Sequence, residues 1–458
     1  MAVPPQIFNS TRALSESTGM NNTDKVPLDW IVLAVPTVLA IRPFSPKASL
    51  ALLAILIAAA AVRRCPFRRS LKMGPLLALW IAAGIALVRS EPRSNLLILV
   101  LVSALTVVLV RTVDARIVIG SLIDGIGICL LLNVISYSVG LRSPNADSRI
   151  AGYIETTGMV RTIWPLGSSL DEVAALASIY IAAGLYLIVE RDWPRRLFRS
   201  LLLCAAFYIL YKSGARTGIA PVILVAVVFA FPGLSGRLAQ LTTICASISA
   251  IILPPVVTRL ESVITVIFNL FAPGRTITAQ QISSLNFRST IWERSIDYWQ
   301  AWVYGSSESL IGFGQGSQYL SGVSQTYAGE LANIVRNPEY ASLHNSFLQQ
   351  LFDGGLIGVL LLTLAIYWTA SRLSAHADDW ARNGIVALLA LIALLLNGMT
   401  QVSIAPGAGQ QTFWILVILV AVACQTQGSS PSERQARLGA QNPEWINTKR
   451  ISSISIQD

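Results

Sequence analysis

The chain is poor in charge. Only 13% of its 458 residues are Asp, Glu, Lys or Arg, where a soluble globular domain carries about 25%. With 53% hydrophobic residues and a mean hydropathy of +0.60, that shortfall excludes an ordinary soluble protein carrying one greasy helix. Histidine is scarcer still, with two in the whole chain, His344 and His376. The five cysteines (Cys65, Cys129, Cys204, Cys245 and Cys424) stand singly, without a CxxC pair. Most fall inside apolar runs, where a thiol behaves as a small buried hydrophobe, so neither a zinc site nor a redox pair is expected. The long polar stretch holds scattered acids but no DxD-type pair suited to a divalent cation, so neither metal nor other cofactor is expected. The first two dozen residues are polar and no A-x-A-like site follows the first apolar run, so no cleavable signal peptide is expected.

What the chain has in abundance is apolar runs. They cover roughly 28–41, 48–62, 73–89, 95–111, 117–139, 170–190, 199–212, 217–232, 238–257, 344–370, 384–402 and 411–424. Several are shorter than the ~20 residues of a perpendicular span, and tilt or packing against neighbours makes up the difference. None shows the strict alternation over about ten residues that marks a barrel strand. The expected fold is therefore an all-α polytopic membrane protein with about 12 transmembrane helices. Expected segments are a cytoplasmic N-terminus (1–27), a bundle of nine helices (28–257), one long, partly helical periplasmic loop (258–343), three further helices (344–424) and a disordered cytoplasmic tail (425–458).

The net charge of +10 does not point to nucleic acid. Much of it lies in short clusters between apolar runs, Arg63, Arg64, Arg68, Arg69 and Lys72 in one, Arg191, Arg195, Arg196 and Arg199 in another. Such clusters hold loops on the cytoplasmic side, which places both termini inside. The same parity puts 140–169, the turn around Ser213–Arg216 and 258–343 outside. A long loop of that kind is a functional candidate rather than a connector.

Few residues can carry chemistry. His376 sits in SRLSAHADDWAR, a short cytoplasmic connector. His344, in SLHNSFLQQLFDGGLIG, stands where the long loop meets an apolar helix, so its imidazole is placed to exchange a proton at the membrane surface. The plainer reading is that His344 and Asn345 cap that helix. Arg216, in YKSGARTGIAP, is either a snorkelling interfacial residue or a guanidinium clamp for phosphate oxygens at a helix start. Arg288, in NFRSTIWERSIDYW, is a surface charge or a second clamp, and Arg161 and Arg149 are secondary contacts chosen for their place in an external loop. Trp292, Tyr298 and Trp299 read as interfacial anchors or as sugar-stacking rings. GFGQG lacks the βαβ context of a nucleotide fingerprint and reads as a tight turn that returns the loop over the bundle.

Taken together, SGARTG opening a helix, NFRSTIW…GFGQG in the long loop and LHNSFLQQLFDGGLIGVLL closing it resemble the O-antigen ligase and polymerase family of bacterial envelope glycosyltransferases. The resemblance is strongest over about 200–370, with RIAGYIETTG adding weaker support. It implies a metal-independent enzyme of the bacterial inner membrane. The donor would be an undecaprenyl-pyrophosphate-linked glycan, and the acceptor a glycan or a lipid A-core type molecule. By motif it carries pyrophosphate binding to Arg216 and Arg288 and an essential role to His344. Arg161 and Arg149, for their place in an external loop, and Asn345, next to the histidine, are expected as substrate contacts. Ligase and polymerase share these motifs and stay open as alternatives. A flippase or exporter of lipid-linked polysaccharide is the alternative from another class.

Overall fold

The computed structural model describes residues 28–62, 71–89, 94–143, 162–167, 169–189, 192–213, 231–259, 287–332, 337–377, 382–406 and 410–425, with Val225, Val228 and Trp380. The charge cluster at 63–70, the loop residues Arg149 and Arg161, the SGARTG motif beyond Ser213 with its Arg216, and both terminal segments lie outside these residues. Among the described residues the structure is all-helical apart from one isolated bridge between Leu71 and Gln425.

Helices begin where the local chemistry favours them. α1 (Trp30–Ala40) starts after Asp29, whose carboxylate accepts the N–H groups of Ile31 and Val32. α2 (Pro46–Val62), α3 (Gly74–Val88) and α4 (Ser94–Thr112) follow. α5 (Ala115–Ser138) is capped by Asp114, and α6 (Leu170–Leu187) by Ser169. These are the short acceptors that satisfy the first free N–H groups of a helix. α7 (Trp193–Ser213) completes the first part of the bundle.

Among the described residues two helices are long and apolar enough to cross a bilayer, α5 at 24 residues and α14 (Ser346–Ala375) at 30. The outward faces of several helices expose Ile55, Ile81, Val100, Leu201 and Leu360. Such surfaces belong against lipid rather than water. The chain is a helical membrane protein. Six shorter apolar helices of 10–17 residues accompany the long ones, α15 (Arg382–Gly398) and α16 (Gln411–Ala423) among them.

α16 is apolar all round and buried along its whole length. It packs against α1, α3, α4, α5, α6, α14 and α15, so the last described helix is the central post of the bundle. A helix without a polar face has no stable place except such an interior.

The apolar run over 238–257, expected as one span, is broken. α8 (Ser235–Ser247) and α9 (Ser249–Arg259) meet at 91°. The hydroxyls of Ser247 and Ser249 donate to the carbonyls of Ile244 and Ala246, each at 2.8 Å. That is the local competition by which serine bends a helix. Pro254 and Pro255 then remove two backbone donors from the second limb.

Arg199, expected among the cytoplasmic surface charges, is buried instead. Its guanidinium makes a two-pronged pair with Asp124 in the middle of α5, Nε to Oδ1 at 3.0 Å and Nη2 to Oδ2 at 2.9 Å. An arginine at that depth needs such a partner, and sequence position alone does not reveal it.

The long loop has a core of its own. α10 (Arg288–Tyr298) runs into a π-helical turn (Trp299–Val303), followed by α11 (Ser307–Ile311), α12 (Ser317–Leu320) and α13 (Gln325–Leu331). Ile291, Trp292, Val323, Tyr327 and Leu343 pack there against Leu348 and Phe352 of α14. The first turns of α14 thus belong to the loop as much as to the bundle.

GFGQG is the clasp between them. α14 breaks at Gly355, with φ 64° and ψ −168°. Before the break, the carbonyls of Phe352 and Asp353 accept the N–H groups of Phe313 (2.8 Å) and Gly314 (2.9 Å). Gln315 N–H donates to Ala86 at 2.7 Å, and Arg89 holds the Gly312 carbonyl at 2.8 Å. The turn foreseen in the sequence therefore supplies partners to backbone groups that a broken membrane helix cannot leave bare. Gly355→Ala is expected to fail here. That backbone conformation belongs essentially to glycine and costs any other residue about 1–3 kcal/mol. A Cβ would also collide with the backbone of Leu310 and Ile311. Thermal unfolding in detergent should show a clear drop in midpoint, and an unchanged midpoint would refute the account of the clasp.

Candidate functional site

The site forms at one end of the bundle. The segment before α6 is tied there by Trp164 Nε1 donating to Ser213 Oγ (2.9 Å) and Thr162 N–H donating to the Lys212 carbonyl (3.1 Å). Leu166 N–H donates to Asn133 Oδ1 at 2.8 Å. These contacts bring the ends of α5 and α7 to the start of α6. Ser169 caps α6, accepting the Glu172 N–H at 3.2 Å, while the Glu172 carboxylate accepts the N–H of Gln411 at the head of α16.

Arg288 opens α10, with Phe287 before it in a left-handed turn (φ 68°). Its guanidinium lies 3.9 Å from the Asp171 carboxylate, a loose pair beyond hydrogen-bond distance. Trp292, one turn further on, is fully buried and donates from Nε1 to the Leu343 carbonyl at 2.8 Å. That bond sets α10 directly beside His344. The expected interfacial or sugar-stacking role of Trp292 is therefore corrected to a core role. The Tyr298 hydroxyl likewise donates to the Ser321 carbonyl inside the loop.

His344 has φ 48°. Of the non-glycine residues described, Phe287 and His344 have positive φ, and both adjoin the same site. Left-handed backbone at non-glycine positions is sparsely populated and persists where surrounding structure enforces it. Here the enforcing residue is Asn345. Its Oδ1 accepts the N–H groups of Phe347 (3.0 Å) and Leu348 (2.9 Å), and its Nδ2 donates to Ser249 Oγ (2.7 Å) and the Met399 carbonyl (2.8 Å). Asn345 is fully buried, with both amide donors and its oxygen used. It caps α14, as the plainer reading of the sequence has it.

His344 joins Asp171, Glu172, Ser342, Gln401 and Ser403 in lining a cavity of about 160 Å3. Burial first, and the Arg288 cation second, hold its pKa down from 6.5 to about 4, against the opposite pull of Asp171 and of a hydrogen bond to Gln401. The ring is therefore neutral at physiological pH and able to accept a proton. The linkage has a definite sign. Above pH 6.5 the ring is neutral whether folded or unfolded, and below it the unfolded chain binds a proton that the folded chain refuses. Stability should fall as pH drops from about 6.5 to about 4 and then level off. His344→Asn, which keeps a residue tolerant of the left-handed turn, should flatten that part of a melting-temperature profile.

Two of the expected residues, His344 and Arg288, are thus brought together. Asp171 and Glu172 were not foreseen in the sequence. The capping-box spacing of Ser169 and Glu172 marks a helix start at this place, and no local signal pairs it with residues more than a hundred positions away. His376 caps the far end of α14 and stacks on Trp380 at 5.2 Å, away from the site. No protein-family model matches the chain, and a search among curated proteins finds no match.

Proposed function

We propose that this membrane protein is a metal-independent glycosyltransferase of the O-antigen ligase or polymerase type. In this reading it moves a glycan from an undecaprenyl-pyrophosphate donor to an acceptor hydroxyl. The observation that carries it is that the two ends of the long loop meet at one cavity, His344 in its lining and Arg288 within 3.9 Å of Asp171 in the same lining.

His344 takes the proton of the acceptor hydroxyl as its oxygen bonds to the anomeric carbon. The bond from that carbon to the pyrophosphate oxygen breaks, and undecaprenyl pyrophosphate leaves with the bonding pair. Negative charge grows on the leaving oxygens, where a positioned guanidinium stabilises the transition state more than the ground state. The arriving anion draws Arg288 from its loose contact with Asp171 and favours the protonated imidazole. In-line attack gives inversion.

The cavity end of the bundle is assigned to the periplasmic face of a bacterial inner membrane, with both termini cytoplasmic. In support, Lys72, Arg116, Arg195, Arg196 and Arg372 belong to the opposite end, where Arg372 holds the Lys72 carbonyl and Asn383 the Arg116 carbonyl. That distribution fits the positive-inside bias.

Purified protein in detergent micelles, given lipid-linked glycan and an acceptor, should form the joined product. Micelles have no inside, so an exporter of lipid-linked polysaccharide would yield nothing in that assay. The acid limb of kcat/KM, which reports the free protein, should lie near pH 4, where burial and Arg288 hold His344. That of kcat should lie higher, since the bound anion favours the protonated ring. A kcat/KM limb near 6.5 would remove His344 as the base.

A further inference from the structure

The lining of the cavity beside His344 carries two carboxylates, Asp171 and Glu172 at the head of α6. The Arg288 guanidinium stands outside that lining, 3.9 Å from Asp171. The other lining residues are uncharged, hydroxyls and amides such as Ser403, Gln410 and Thr412 beside Ala175 and Val402. A pyrophosphate inside the cavity would meet the two carboxylates, so the cavity itself suits a different chemistry.

Ser403 gives the second observation. Its side chain is 5% exposed and lines the cavity, yet its hydroxyl oxygen has no hydrogen-bond partner, and neither has the Gln410 side-chain oxygen. A buried polar atom left unpaired destabilises a fold, and such an atom calls for a partner that is absent from the free chain. At about 160 Å3 the space is smaller than the roughly 300–1,000 Å3 of pockets that hold drug-sized molecules. It fits one ring rather than an oligosaccharide.

We infer that this cavity is a subsite for a single neutral sugar ring, whose hydroxyls donate to Asp171 and Glu172 and pair with Ser403 and Gln410. Its carboxylates exclude anionic sugars such as uronic acids, because a second carboxylate there would meet like charge in a partly desolvated space. That the bound ring presents a hydroxyl to His344 rests on the transferase reading given above. The subsite itself rests on the cavity wall.

Saturation-transfer NMR on the full-length protein in micelles provides the test, with methyl gluco-, galacto- and mannopyranosides as neutral probes and methyl glucuronide as the anionic one. At least one neutral glycoside should bind while the uronide does not. Ser403→Ala should weaken that binding about five-fold, the weight of one neutral hydrogen bond. It should leave the melting temperature unchanged or higher, since the free protein loses only an unsatisfied hydroxyl. A purely structural serine would lower both. Asp171→Asn should admit the uronide. Binding of no neutral glycoside, or equal binding of the uronide by the unaltered protein, overturns the inference.

In the transfer assay, competition against the acceptor alone assigns the ring to the acceptor. Competition against the donor alone assigns it to the donor's first sugar, and competition against neither counts against the subsite. Binding is read without turnover. A protein that binds the glycoside but transfers nothing retires the transferase reading and keeps the subsite, whereas transfer without glycoside binding retires the subsite alone.

Discussion

Asp124→Ala is expected to destabilise the purified protein by about 3–5 kcal/mol, the usual effect of removing one partner from a buried ion pair. Asp124 and Arg199 side chains are 2% and 7% exposed, and both prongs of the pair are short, at 3.0 and 2.9 Å. Without the carboxylate, a guanidinium is stranded between α5 and α7 with little water to solvate it. Arg199→Ala strands the carboxylate instead and should be of similar size. Replacing both residues by apolar side chains of similar bulk, Asp124→Leu with Arg199→Met, removes the desolvation penalty along with the attraction. That double variant should recover most of the loss. The check is the unfolding midpoint of all four proteins in one detergent. Single variants within about 0.5 kcal/mol of the parent, the range of ordinary surface substitutions, would show that water reaches the pair.

Loss of transfer is the second large effect. His344→Asn should lower the transfer rate by about 10²–10⁴-fold, the contribution of a positioned general base. Asparagine suits this test better than alanine because the backbone at 344 is left-handed. Arg288→Ala should lose about 10²–10³-fold, as removal of one transition-state donor does. Arg288→Lys should recover only part of that, since an ammonium cannot offer two parallel donors to phosphate oxygens. Both variants should keep the parent's elution profile and melting behaviour apart from the pH effect described for His344. Variants that transfer at the parental rate would end the proposed chemistry.

Much of this architecture was legible in the sequence because it is written locally. Runs of apolar residues mark helices, and the described helices of the bundle, α8 and α9 apart, coincide with those runs closely, down to the Asn345 cap of α14. GFGQG announced a turn and is one. What stayed hidden depends on partners distant in the chain. Arg199 has the same neighbours in sequence as the surface arginines beside it, and only Asp124, 75 positions away, distinguishes it. Asp171 and Glu172 look like first-turn acids at a helix start until Arg288 and Gln411 arrive beside them. The break at Ile248 follows from two serine hydroxyls turned onto the backbone, a choice that hydropathy does not register. Trp292 reads as an interfacial ring in any window of the loop, and the Leu343 carbonyl makes it a core residue.

The position of α16 has a consequence for biogenesis. Membrane chains are made and inserted from the N-terminus onward, so the helices that surround this post reach the bilayer before it exists. Until residues 411–423 emerge from the ribosome, the others stand around a vacant centre, and Glu172 lacks the backbone N–H it will accept. The cavity end cannot be finished ahead of that moment. Completion of the fold and arming of the site become one late event, so a ribosome stalled short of α16 would leave in the membrane a ring of helices with no working mouth.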